Sequence, residues 1–258
     1  MKTKLFISFA ASVAASVLMS GCCKEETNNG PLVVDLYSGH NYYMWDAAQN
    51  YWSGHEWDAA EPWQPTAKGA SNDNYPKSKA AGGARWWHEG SGAFEASNAL
   101  FKRLPNANEM AWYVLKGDAH WDNSTQWEAF GTTYTGGIWL KRLSVIAQEN
   151  GKTLADLKLK DPNGLDLRTT QIDGYWITFV PVSKPADSEI GKYFFLPALG
   201  YYDEGQLQVL GSNGTFWSSS AAPGDSRFAY FLSFKDWSYR VEMGCDLRLF
   251  GCIAQPFE

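Results

Sequence analysis

Phe228-Ala229-Tyr230-Phe231-Leu232-Ser233-Phe234-Lys235-Asp236-Trp237-Ser238-Tyr239-Arg240-Val241-Glu242-Met243 alternates with a period of two. In an extended chain, Phe228, Tyr230, Leu232 and Phe234 occupy one face. Ala229, Phe231, Ser233 and Lys235 occupy the other. A tight turn near Lys235-Asp236 returns the chain as a second strand from Trp237 to Met243. Tyr239 and Val241 then point inward, and Ser238, Arg240 and Glu242 point outward. The sequence therefore predicts an antiparallel hairpin with one apolar side to bury.

Working outward, three further runs read as strands between turn signals: Gly137 to Lys141, Tyr175 to Val180, and Tyr193 to Leu196. Helices are predicted upstream. Ala93, Ala96 and Leu100, with Phe94 and Phe101 beside them, give a helix over about 93–103. Asn106 is an N-cap with Glu109 three residues on, Met110, Tyr113 and Val114 form an inward stripe, and Gly117 fits the left-handed position after the last turn. A third helix is predicted over Leu143–Glu149, ended by Asn150-Gly151. Helices early and antiparallel strands late define an α+β fold.

Composition agrees. The chain has 258 residues, 45% hydrophobic and 19% charged, with 16% aromatics and 24 glycines, so a globular, loop-rich β structure is expected. Residues 36–92 are dense in Trp, Tyr, Gly, Pro and Asn without a sustained period, and read as long loops pinned by Trp45, Trp52, Trp57, Trp63, Trp86 and Trp87. The net charge of −6 argues against nucleic acid as a partner, because that needs a basic stripe to displace counterions.

The N-terminus carries an address. Lys2 and Lys4 precede an apolar run from Leu5 to Met19, too short at ~1.5 Å per residue to cross a ~30 Å hydrocarbon core comfortably. The run ends in Met19-Ser20-Gly21-Cys22, which resembles a bacterial lipobox. That resemblance implies a signal peptide over 1–21 and lipidation at Cys22, the only membrane attachment expected. Cys23-Lys24-Glu25-Glu26 resembles the surface-export signal of Bacteroidetes lipoproteins, implying an outer-membrane protein that faces the cell exterior. Residues 22–32 read as an acylated tether, and 33–258, with no linker or repeat, as one domain.

Leu104-Pro105-Asn106-Ala107-Asn108-Glu109-Met110 with Trp112-Tyr113 is similar to a helix motif of formylglycine-generating-enzyme-like C-type lectin folds. Phe195-Leu196-Pro197-Ala198-Leu199-Gly200-Tyr201, Gly211 to Ser220 with Phe216-Trp217-Ser218-Ser219-Ser220, and Ala229-Tyr230 then follow in order. Together they resemble the paralogous Fibrobacter and Bacteroidetes surface lipoprotein domain, a C-type-lectin-like module. The resemblance covers most of residues 95–258. Some relatives are variable proteins of diversity-generating retroelements, whose C-terminal strand-and-loop region is rewritten while the scaffold is kept. Here the family's tail runs Arg248 to Pro256; Gly251 and Pro256 match it, and Ile253, Ala254 and Gln255 depart.

These readings converge on a binding surface of Arg227, Phe231, Ser233, Lys235, Trp237, Ser238, Arg240, Glu242, Met243, Asp246 and Leu249. Aromatic anchors mixed with Arg and adaptable polar groups suit recognition of a protein or glycan on another cell, a phage or the host. A structural cell-surface or fimbria-associated role is an alternative. So is an oxidase like the formylglycine-generating enzymes, which use a reactive Cys pair; Cys245 and Cys252 are six residues apart in the gap and lack the flanking pattern. A disulfide between them needs Cα atoms within ~7 Å. Trp121-Asp122-Asn123 and Asp161-Pro162-Asn163 differ in letters and order from calcium-lectin motifs and read as turns. His40, His55, His88 and His120 lack metal-ligand spacing, and no nucleophile elbow, P-loop or dinucleotide fingerprint is present. A non-enzymatic protein without cofactor or metal is expected.

Overall fold

The computed structural model describes residues 41–66, 70–88, 95–171 and 176–257. In chain order these form β1 (Tyr42–Tyr43), α1 (Lys79–Gly82), α2 (Ala107–Lys116), β2 (His120–Asp122), β3 (Trp127–Ala129), β4 (Thr132–Tyr134) and β5 (Gly137–Lys141). Then come α3 (Leu143–Glu149), α4 (Leu154–Leu159), β6 (Trp176–Phe179), β7 (Tyr193–Pro197), β8 (Tyr201–Asp203) and β9 (Gln206–Gln208). The chain closes with β10 (Asn213–Ala221), β11 (Phe228–Lys235), β12 (Arg240–Leu247) and β13 (Cys252–Ile253). The fold is α+β and its sheets are mostly antiparallel. A six-stranded sheet runs β1-β13-β10-β11-β12-β6, and a three-stranded one runs β2-β5-β7.

The period-two pattern does form β11 and β12, with Lys235 opposite Arg240 and Phe228 opposite Leu247. The turn, however, takes four residues, Asp236 to Tyr239, so the return strand starts at Arg240 and not at Trp237. Tyr239 is not inward; it has φ 42° and is exposed. The turn is tied at three points. Asp236 N donates to Ser212 O (3.0 Å), Tyr239 N donates to Asp236 O (3.3 Å), and Val180 N donates to Tyr239 O (2.8 Å).

The core side of the large sheet follows from the register. Phe216, Leu232 and Met243 fall in one row, with Phe234 and Val241 alongside. All five are buried, and α2 packs over them with Met110, Tyr113 and Val114 in the same hydrophobic cluster. This helix begins with the reciprocal cap expected at Asn106 and Glu109: Glu109 N donates to Asn106 Oδ1 (3.0 Å), and Asn106 N donates to Glu109 Oε2 (2.9 Å). Its end differs from the expectation. Gly117 has φ −76°, a right-handed value, and glycine is needed because a Cβ would run into the Tyr113 carbonyl oxygen.

Helix α3 matches its predicted range, whereas the predicted helix over 93–103 does not form across its described part. Glu95 instead makes an isolated bridge to Ser220, and only a 3₁₀ turn, Phe101–Arg103, follows. Burying Phe101 against Trp45 outweighs the weak helical period. Ala93 and Phe94 lie outside the described residues, as do Tyr175, the signal segment with Cys22, and the tether. Among the loop tryptophans, Trp45 and Trp52 are buried and Trp57, Trp86 and Trp87 pack against the main core, while Trp63 is exposed. Asp161 does cap a turn, accepting from Asn163 N and Leu165 N, but Trp121 and Asp122 lie in β2.

A candidate ligand groove on the outer face of the large sheet

The opposite face of the same sheet carries the polar rows. Asn213, Lys235 and Arg240 form one row, and Thr215, Ser233, Glu242 and Ile177 the next. Trp217 and Phe231 follow, opposite Gly244, and then Ala229 and Asp246. Beyond Phe231 a second cluster of Trp45, Phe101, Leu104, Ala229 and Cys252 covers the face. The uncovered part is a groove of ≈ 490 Å³. Its walls add Tyr201, Val209 and Phe250 to residues of β6, β10, β11 and β12.

Seven of the expected binding residues line this groove: Phe231, Ser233, Lys235, Trp237, Arg240, Glu242 and Asp246. The remaining four do not. Met243 is fully buried on the core side, where its odd position in β12 sends it. Leu249 is half-buried against the main core. Arg227 is exposed beyond the start of β11 and paired with Asp225 (2.7 Å). Ser238 sits in the turn with its hydroxyl buried and without a hydrogen-bond partner among the described residues. Nor is the face open in the way the alternation implied, because Phe231 and Ser233 are nearly buried by the groove walls.

Electrostatics set the groove's middle. Glu242, with a side chain only 7% exposed, holds Lys235 Nζ at 2.6 Å from Oε1 and Arg240 Nε at 2.9 Å from Oε2. Lys235 is itself 13% exposed, shielded by Trp237, whose ring centroid lies 5.5 Å from Nζ. Next to this triad, Thr215 Oγ1 donates to Asn213 Oδ1 (2.8 Å), and Asn213 Nδ2 donates to Ser233 Oγ (3.1 Å). Most of these polar groups are thus fixed by one another; the Arg240 Nε–H, although 2.9 Å from Glu242 Oε2, has no hydrogen-bond partner among the described residues. Trp237, at the tip of the tied turn, is 60% exposed and forms one rim.

The other end is aromatic and acidic. Tyr201 and Phe250 meet edge-to-face at 5.8 Å. Asp246 and Cys252 line this end as well. Burial pushes the Asp246 carboxyl above its ordinary range. Burial, then Asp246 and Asp203, push the Cys252 thiol up. Asp203, nearby on β8, is raised by burial and by the charges of Glu204 and Asp246.

The cysteine pair is not a pair. Cys245 lies on β12 with its side chain on the core side, and Cys252 lies on β13. Strands β10 and β11 stand between, so about three strand spacings of ~4.8 Å separate them, well beyond disulfide reach. Among the described residues, no group of three His, Cys, Asp or Glu is placed to hold a metal ion.

Sequence reasoning missed Asn213, Thr215 and Trp217, whose alternation with Gly214 and Phe216 is a strand signal of the same kind as that of β11. It also missed Tyr201 and Phe250. They meet through the bridge between Tyr202 and Gly251, a pairing with no local signature. No family model, no curated protein and no solved structure matches the chain.

Proposed function

We infer that the chain is a lipid-anchored surface protein that binds an oligosaccharide in the groove between Trp237 and Tyr201. The observation that carries this reading is the groove's make-up: aromatic rings beside amide, hydroxyl and charged groups already locked together, in a concavity of ≈ 490 Å³. That size falls within the roughly 300–1,000 Å³ range of small-ligand sites. A sugar needs both features, flat apolar surface for its C–H face and fixed hydrogen-bonding groups for its hydroxyls. Fixed groups lose little entropy on binding.

Lipidation at Cys22, export to the cell exterior and the C-type-lectin-like identity belong to the same proposal, supported by the lipobox and the ordered motifs between Leu104 and Ser220. A diversified C-terminal region fits too, since β11 and β12 place their alternate residues in the groove and the rest in the core. A protein partner is the second reading. It is favoured by the apolar rim of Trp237, Phe179 (75% exposed) and Ile177.

A glycan array probed with the wild type and with Trp237→Ala tests the choice. Glycan signals lost in the variant support the groove. A chain with no glycan signal, whose binding to whole target cells survives removal of surface glycans, supports the protein partner instead.

A further inference from the structure

Resting on the oligosaccharide reading, we propose that the bound sugar is acidic: a hexuronic residue lies on Trp237 with its carboxylate on the guanidinium of Arg240. The middle of the groove holds two cations and one anion. Glu242 presents one oxygen to Lys235 Nζ (2.6 Å) and the other to Arg240 Nε (2.9 Å), and its single charge leaves one positive charge over. Among the described residues no other carboxylate lies within ion-pair distance of either cation, Asp236 in the intervening turn included.

The excess falls on Arg240. Lys235 is 13% exposed, has the shorter contact to Glu242 and faces the Trp237 ring at 5.5 Å. Arg240 is 31% exposed and lines the groove. Its Nε–H is buried without a hydrogen-bond partner, and neither of its Nη groups bonds to a described residue. Donors left unused on an uncompensated charge call for an anion more than for a neutral hydroxyl, because charge-assisted hydrogen bonds are about twice as strong. A carboxylate also matches the planar fork of the guanidinium with two oxygens.

The strands place the acid. Lys235 and Arg240 are register partners at the mouth of the turn that carries Trp237. A pyranose ring on the exposed indole therefore brings a carboxyl, one bond off the ring, toward Arg240. The far end has the opposite sign. Asp246 lines it, six positions along β12 or about 20 Å at ~3.3 Å per residue, with Asp203 near enough to raise its own pKa against it. An acidic group is repelled there, so the uronic residue sits at the Trp237 end and neutral sugars follow toward Tyr201.

The test is calorimetric titration of the full chain with cellotetraose and with the same tetramer oxidised to a uronic acid at C6 of its non-reducing residue. These probes share a backbone and differ in one carboxylate. The expected result is about tenfold tighter binding of the acid, reduced to parity in Arg240→Gln, read as the ratio of the two affinities in one protein. Equal binding by the wild type, or a preference that survives Arg240→Gln, overturns the proposal. If Arg240→Gln binds neither probe, Arg240→Lys decides: it keeps the charge and loses the fork, so a preference below the wild type's supports the seat and an unchanged one overturns it. If the wild type binds neither tetramer, the glycan array decides. Carboxylated glycans whose signals vanish in Arg240→Gln support the acid; signals from uncharged glycans alone overturn it and spare the groove; a chain that binds no glycan takes both down.

Discussion

The Lys235 ammonium lies 2.6 Å from Glu242 Oε1, diagonally across β11 and β12, while Arg240 Nε approaches the other oxygen at 2.9 Å. One nearly buried carboxylate thus pairs with two cations on the groove face of the sheet. Removing the carboxylate leaves both cations uncompensated in a partly desolvated site. Glu242→Gln is expected to cost about 2 kcal/mol, read as a lower urea midpoint. An unchanged midpoint would mean that the triad is solvated and does not order the groove. Arg240→Ala perturbs the same triad, so Trp237→Ala is the cleaner binding probe.

The capping box at α2 gives a second test. Asn106 is buried, caps Glu109 N and also donates from Nδ2 to Lys158 O (3.0 Å), tying α2 to α4. Asn106→Ala should destabilise by about 1–2 kcal/mol, at the upper end of cap losses because a second bond goes with it. Asn106→Asp keeps the cap acceptor but loses the Nδ2 donor, and should recover part of the loss. Equal losses for both variants would place the whole effect in the bond to Lys158.

Acid should destabilise the fold at identifiable groups. Burial pushes Asp122 up, but hydrogen bonds from Thr125, Trp139 and Ser124 outweigh it and hold the carboxyl at about 2. Its folded pKa lies below its unfolded value near 3.9, so the stabilisation is present above pH ~4 and is lost as pH falls toward ~2. Asp122→Asn should flatten stability against pH in that window by roughly 1–2 kcal/mol. Asp166, held at about 2 mainly by Arg168, contributes a second, separable step. A pH profile identical to the wild type's would show that Asp122 is not held low.

Cys245 and Cys252 should remain thiols even in an oxidising compartment. Burial raises both above the ordinary thiol range, and the strands β10 and β11 separate them. Non-reducing peptide mapping is expected to find the two cysteines in unlinked peptides, and alkylation of the folded chain should be slow until urea is added. A Cys245–Cys252 cross-linked peptide would contradict the strand order.

Period and turn chemistry carried much of the fold. Residues 228–235 alternate strictly, and Gly137 to Lys141, Tyr193 to Leu196 and Leu143 to Glu149 are bounded by turn or cap residues, so their elements lie where the sequence places them. The hairpin turn came out two residues too short. Its length depends on the left-handed Tyr239, held by the bond between Tyr239 O and Val180 N, and not on a local turn motif. That shift kept the parity of β12, so Arg240 and Glu242 still face the groove, and the same parity places Met243 in the core beside Val241. Helix α4 was not expected, although Thr153 and Asp156 form a capping box that could have marked its start. Nor was the aromatic end of the groove. Tyr201 and Phe250 meet only because Tyr202 bridges to Gly251, and no spacing rule reaches across 49 residues.

The most direct measurement is the glycan-array profile of the wild type beside that of Trp237→Ala, with the melting temperature of each. Trp237 is 60% exposed and packs on nothing in either core, so the two proteins should melt together. The expected result is a set of oligosaccharide signals in the wild type that vanish in the variant. Signals of equal strength in both proteins would place the binding elsewhere and contradict the groove.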